Sequence, residues 1–94
     1  MNKYFIGAER LDLESNKIVE LKYFILEETK IIEETGDSKK TYGIEIEKWS
    51  ESNVEKDFVN DITTEKEYAL NITNCLIENK ITPVHLKDVI VDML

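Results

Sequence analysis

Cysteine, proline, histidine and tryptophan each occur once in these 94 residues, and glycine three times. The lone Cys75 can close no internal disulfide, and one Cys with one His supplies no zinc-type ligand set. Gly7, Gly36 and Gly43 are too scattered to form a phosphate-cradling loop. No stretch approaches the ~18 apolar residues of a membrane span, and the apolar core of "MNKYFIGAERLDLE" is too short for a signal sequence. Basic charge is also scarce. Twelve Lys and Arg face 20 Asp and Glu, for a net charge of −8. Residues 1–47 hold 11 acids and 7 bases, and residues 48–94 hold 9 and 5, so neither half carries a basic arm. Phosphates and anionic lipids are bound by clustered Lys and Arg, so direct binding to nucleic acid or membrane is disfavoured, whereas a basic protein partner is favoured. Together these shortages predict a cytoplasmic protein with no cofactor.

What is present fits one small domain, residues 1–94, in which 41% of residues are hydrophobic. A core of this size leaves little room for an enclosed substrate cavity. In "KIVELKYFIL", Val19, Leu21, Tyr23 and Ile25 share one parity, which predicts a half-buried strand. Turn residues in "ESNK", Glu14 to Lys17, make the run from Tyr4 to Leu13 its hairpin partner. "TKII" either extends the second strand or starts a short third one before the Gly36–Asp37 loop. In "TYGIEIEKW", Tyr42, Ile44 and Ile46 alternate with Glu45 and Glu47, and Gly43 predicts a bulge or a close neighbouring side chain. "SESN" turns the chain into "VEKDFVNDI", where Val54, Phe58 and Ile62 share a parity. The strand region thus runs from about residue 4 to 62 as an antiparallel meander of three to five strands.

The period then changes to helical. Thr63 or Thr64 is the expected N-cap, with Glu67 completing a capping box with Thr64, for a helix over residues 65–79. Its apolar face is expected to contain Tyr68, Ala69, Ile72, Cys75 and Leu76. Thr82 and Pro83 open a second helix over residues 83–93, packed through Leu86, Val89, Ile90 and Met93. Strands first and helices last predict an α+β fold with both helices packed on one face of the sheet. Each helix also carries a second apolar pair. Leu70 and Ile77 lie roughly 150° from the main face of the first helix, and Val84 and Val91 about 160° from that of the second. Either these strips press against each other, or one stays exposed as a surface for a partner or a second copy.

Candidates for chemistry are few. His85, Asp88 and Asp92 fall within about 60° on a helical wheel, where they could hold a divalent metal weakly or do acid/base work. A lone helix supplies no nucleophile or oxyanion site to complete an enzyme, and a solvated helix edge accounts for the same residues. Cys75 shares a stripe with Ala69, Ile72 and Leu76, as packing cysteines do. Trp49 has the outward parity of Glu45 and Glu47, which makes it either an interaction hot spot or a sheet-edge cap stacked with Lys48 or Arg10.

"TYGIEIEKW", the "DIT" before the first helix and the closing "ITPVHLKDVIVDML" resemble a family of small uncharacterised proteins of clostridia and related bacteria, a domain of unknown function. Tyr42, Gly43, Ile44, Pro83, His85, Leu86, Asp88 and Asp92 carry the resemblance, which implies a bacterial stand-alone domain and transfers no site. The leading expectation is a non-catalytic protein-interaction or regulatory module of a bacterial cytoplasm. It would self-associate or bind another protein through Val84, Asp88 and Val91, with Trp49. The alternatives are a small enzyme or weak metal-binding protein using His85 with Asp88 or Asp92, and an acidic decoy of a nucleic-acid-binding protein.

Overall fold

The computed structural model describes residues 1–13 and 17–94. Of the turn predicted at Glu14 to Lys17, residues 14–16 lie outside them; across it, the Leu13 N–H donates to the Lys17 carbonyl over 2.9 Å. Strands β1 (Asn2–Asp12), β2 (Ile18–Ile31), β3 (Ser38–Trp49) and β4 (Val54–Thr63) form one antiparallel sheet in the order β1-β2-β3-β4. Helix α1 (Lys66–Glu78) and, after a 3-10 turn at Pro83–His85, helix α2 (Leu86–Met93) follow the sheet. The fold is α+β, as the switch in period predicts.

Direct cross-strand partners share a face of a sheet. The pairs Tyr23↔Ile46 and Ile25↔Ile44 therefore place these four residues on one side, where they meet Ile72, Leu76, Leu86 and Ile90 or, for Ile25, Ala69 with Tyr42. Val89, Met93, Val59 and Ile62 close the larger cluster. The Tyr23 hydroxyl donates to the Ile81 carbonyl across 2.8 Å, tying the interhelix link to the middle of the sheet. Burial pushes the Tyr23 phenol above its ordinary range, and the Glu9 carboxylate adds to that shift.

β2 continues through Thr29 to Ile31, so "TKII" extends that strand. Beyond Glu27 and Tyr42, β2 and β3 pair only with each other as far as Ile31↔Ser38, a two-stranded ribbon on a molecule 56 Å long. Lys30 ties the ribbon to Asp61 of β4 at 2.5 Å. Gly43 does mark a bulge, and the close neighbour is backbone. Tyr42 pairs with Thr63 and Ile44 with Val59, so residues 60–62 oppose Gly43 alone, with Asp61 at φ 56°. The phase of β4 is the same on either side of the bulge, Val59 and Thr63 opposing the core-facing Ile44 and Tyr42, and residues 60–62 depart from it. Val54 and Phe58, paired with Trp49 and Glu45, face away from the helices, while Ile62 packs in the core, so the three do not share a face.

The helix ends differ from expectation in detail. Thr63 Oγ1 accepts from the Glu65 N–H at 3.1 Å, and Glu65 becomes the N-cap without a side-chain cap bond, so no capping box forms. Thr82 does precede Pro83, but its side chain makes no cap bond; its carbonyl accepts the His85 N–H at 3.1 Å, and His85 becomes the N-cap of α2. On α1 the fully buried polar position is Thr73, whose hydroxyl donates to the Ala69 carbonyl one turn back, whereas Cys75 is only half-buried at the edge of the stripe.

The second apolar strips do not meet each other. Leu70 packs with Ile25, Tyr42 and Ala69. Ile77 reaches β1, where a Cβ on Gly7 would stand 3.0 Å from its Cδ1. α1 thus spends both apolar strips on the sheet, and Val84 and Val91 of the other helix stay 76% and 73% exposed.

Candidate functional site

The face of the sheet opposite the helices has no covering layer among the described residues. By register it presents Lys3 and Phe5 of β1, Lys22, Phe24 and Leu26 of β2, Glu45, Glu47 and Trp49 of β3, and Lys56 and Phe58 of β4. An antiparallel sheet with one solvated face ordinarily shows polar residues there. This one carries an aromatic ladder. Phe5 and Phe24 stack edge to face with centroids 5.6 Å apart, and Phe5 and Phe58 are about half exposed. Met1, Lys3, Leu26, Glu45 and Phe58 line a shallow cleft of about 240 Å³.

Two acids sit at the centre of the ladder. Glu45 and Glu47, on alternate residues of β3, are each 7% exposed although no layer of the fold covers them. The Lys3 ammonium bridges them, paired with Glu45 and 2.5 Å from Glu47, and lies 4.3 Å from the centroid of the Phe24 ring. The Trp49 indole N–H donates to Glu47 at 2.9 Å. Burial favours the neutral acid at Glu47, but hydrogen bonds from Lys3 and Trp49, with the charge of the Lys3 ammonium, outweigh it and hold the carboxyl down at about 2. Burial opposes the charge on Lys3 as well, and its hydrogen bonds to Glu45 and Glu47 still raise its pKa above the ordinary lysine value. The ammonium and the Glu47 carboxylate are therefore both charged at neutral pH, next to aromatic rings and partly out of water.

Trp49 lies on this face, as its parity predicts, and the cation stacked on it is Lys22, with Nζ 4.4 Å from the ring centroid, in place of Lys48 or Arg10. Val84, Asp88 and Val91 are exposed on the outer side of the C-terminal segment, away from the sheet. His85, Asp88 and Asp92 are all exposed, and among the described residues no three His, Cys, Asp or Glu side chains converge to hold a metal. The Lys3, Glu45 and Glu47 cluster is not legible in the sequence, where a glutamate of outward parity reads as solvated. The available signal was "YFIL", Tyr23 to Leu26, where apolar residues occupy both parities and so imply cover on both faces.

A family model matches residues 2–94, nearly the whole chain. The chain belongs to the family of unknown function DUF6514. No curated protein and no solved structure matches it. The family's span includes all four strands and both helices, so the open face and the outer side of α2 both lie inside the matched domain. No helix is long and apolar enough to cross a membrane.

Proposed function

We propose that this domain is a non-catalytic protein-interaction or regulatory module of a bacterial cytoplasm, working through the uncovered face of its sheet. One observation carries the reading: Phe5, Phe58 and Trp49 stand 41–59% exposed around a buried ion cluster, on a face that nothing in the described chain covers. Aromatic residues held rigid on a sheet and surrounding desolvated charges are typical of protein contact surfaces. The single cysteine and the resemblance to clostridial proteins support the cytoplasmic, bacterial setting. A metal or enzyme role for His85 with Asp88 or Asp92 gains no geometric support from three exposed side chains that do not converge.

A second surface has its own observation. Val84 and Val91 remain about three-quarters exposed because α1 packs Leu70 and Ile77 towards the sheet, so the outer side of the segment Pro83–Met93 is the other place for a partner or a second copy.

Site-specific photocrosslinking separates the two. A benzoylphenylalanine replaces Phe58, Val84 or, as a control in the turn, Glu33, in cells of the source organism. Discrete protein adducts from the Phe58 position, exceeding those from Glu33, are expected. Adducts from Val84 alone would move the interface to α2, and equal yields from all three positions, or none, would overturn the reading.

A further inference from the structure

The ion cluster on the open face is short of one positive charge. Glu45 and Glu47 are both more than nine-tenths buried, and among the described residues the only cation within 4 Å of either is Lys3. Lys22 and Lys56 are direct cross-strand neighbours of Glu47, yet neither forms an ion pair with it. Lys22 is taken up by the Trp49 ring and by Glu20 at 3.8 Å. Partly desolvated acids attract a further cation more strongly than surface acids do, because the local dielectric is lower. The cleft between Met1, Leu26 and Phe58 opens directly beside Glu45.

We propose that the open face docks an extended basic segment of another protein, in which an arginine completes the Lys3, Glu45 and Glu47 cluster and an apolar side chain two residues away, on the same side of the segment, fills the cleft. This rests on the interaction-module reading above and names its partner chemistry. Arginine fits better than lysine. Lys3 already supplies a point charge, and what remains open is an aromatic-walled space beside two carboxylates, which a planar guanidinium with five donors can bridge while stacking on Phe58 or Phe5. A second copy of this chain would bring its own Glu45 and Glu47 and a net charge of −8 against −8. A nucleic-acid phosphate would meet two carboxylates. The overall negative charge also speeds the approach of a basic segment from solution.

The test uses the full ¹⁵N-labelled chain and a capped pentapeptide of valine, serine, arginine, serine and valine, whose arginine and valines share one side when extended, with a citrulline-for-arginine twin as its uncharged control. The arginine peptide is expected to give saturable shifts centred on the amides of Lys3, Phe24, Glu45, Glu47 and Phe58, at an affinity at least tenfold above that of the twin. Lys3→Met, which leaves both acids without their resident cation, is expected to bind the arginine peptide at least threefold more tightly. Equal affinity for the twin, no saturable shift, shifts centred elsewhere, or unchanged or weaker binding by Lys3→Met would overturn the proposal. A peptide-free dimer through this face in sedimentation would also overturn it, by making the occupant a second copy. If Phe58 crosslinks to a protein while the arginine peptide fails, the interaction reading stands and only this inference falls.

Discussion

The Lys3 ammonium lies 2.5 Å from the Glu47 carboxylate, although 44 positions separate the two in sequence. Strand β1 ends its pairing on β2 at Asn2↔Glu27, and that register swings a lysine from one edge of the sheet over the acids of β3. Phe24 of the intervening strand supports the ammonium from beneath. The contact orders the open face, and its loss should be measurable.

Acid should weaken the fold through this contact. Glu47 titrates at about 2 in the folded chain against an ordinary 4.5, so its stabilising effect is complete above about pH 4.5 and disappears as pH falls from there towards 2. Allowing for screening by the adjacent solvent, the effect is on the order of 1–2 kcal/mol. Urea denaturation of wild type and Glu47→Gln between pH 7 and pH 2.5 checks it. The variant should be weaker at pH 7 and show a flatter acid limb. Glu27 is lowered too, by the Asn2 hydrogen bond against burial and with help from Lys40, so the limb should flatten without vanishing.

Gly43 should not tolerate alanine. A Cβ there would stand 2.3 Å from the Val59 carbonyl oxygen and 2.8 Å from the Asn60 Cα, both backbone atoms of the β4 bulge that cannot swing aside. Gly43→Ala should cost about 1–3 kcal/mol or more by chemical denaturation. The amide shifts of residues 59–63 should move most.

Lys80 should be improved by glycine. It sits at φ 49° immediately after α1, with its N–H on the Ile77 carbonyl at 3.0 Å and the Ile81 N–H on the Leu76 carbonyl at 3.0 Å. That is a Schellman motif, in which glycine is the usual left-handed residue. Lys80→Gly should raise stability by up to about 1 kcal/mol, the relief of left-handed strain less the added freedom of the unfolded chain. A lower melting temperature would show that the lysine stem stabilises this turn by packing.

Tyr23→Phe should cost about 1–3 kcal/mol, because the Ile81 carbonyl loses its donor while the ring stays packed. Hydrogen exchange should speed up at Ile81 and the neighbouring link between the helices. By contrast, Val84→Glu and Val91→Glu should each stay within about 0.5 kcal/mol of wild type, since both side chains are mostly in water. Light scattering on the same two variants tests whether that side of α2 supports self-association.

Short-range periodicity was enough for much of this fold. Val19, Leu21, Tyr23 and Ile25, then Tyr42, Ile44 and Ile46, alternate because one face of each strand is buried, and that pattern survives in sequence. Leu86 and Ile90 mark the buried side of α2 for the same reason. The strands-then-helices order, the buried face of β2 and β3 and the outward parity of Trp49 were all legible in local pattern, and Gly43 marked a bulge or a close neighbour without deciding between them. Which apolar strips are covered is a matter of three-dimensional packing, since it depends on where α1 lies across β1, and that packing leaves Val84 and Val91 exposed while covering Leu70 and Ile77. It also decided the fate of the two outward glutamates. Parity assigns a side chain to a face, but burial on that face comes from strands far apart in the chain, and here Lys3, Phe24 and Phe58 meet over β3 only through strand register.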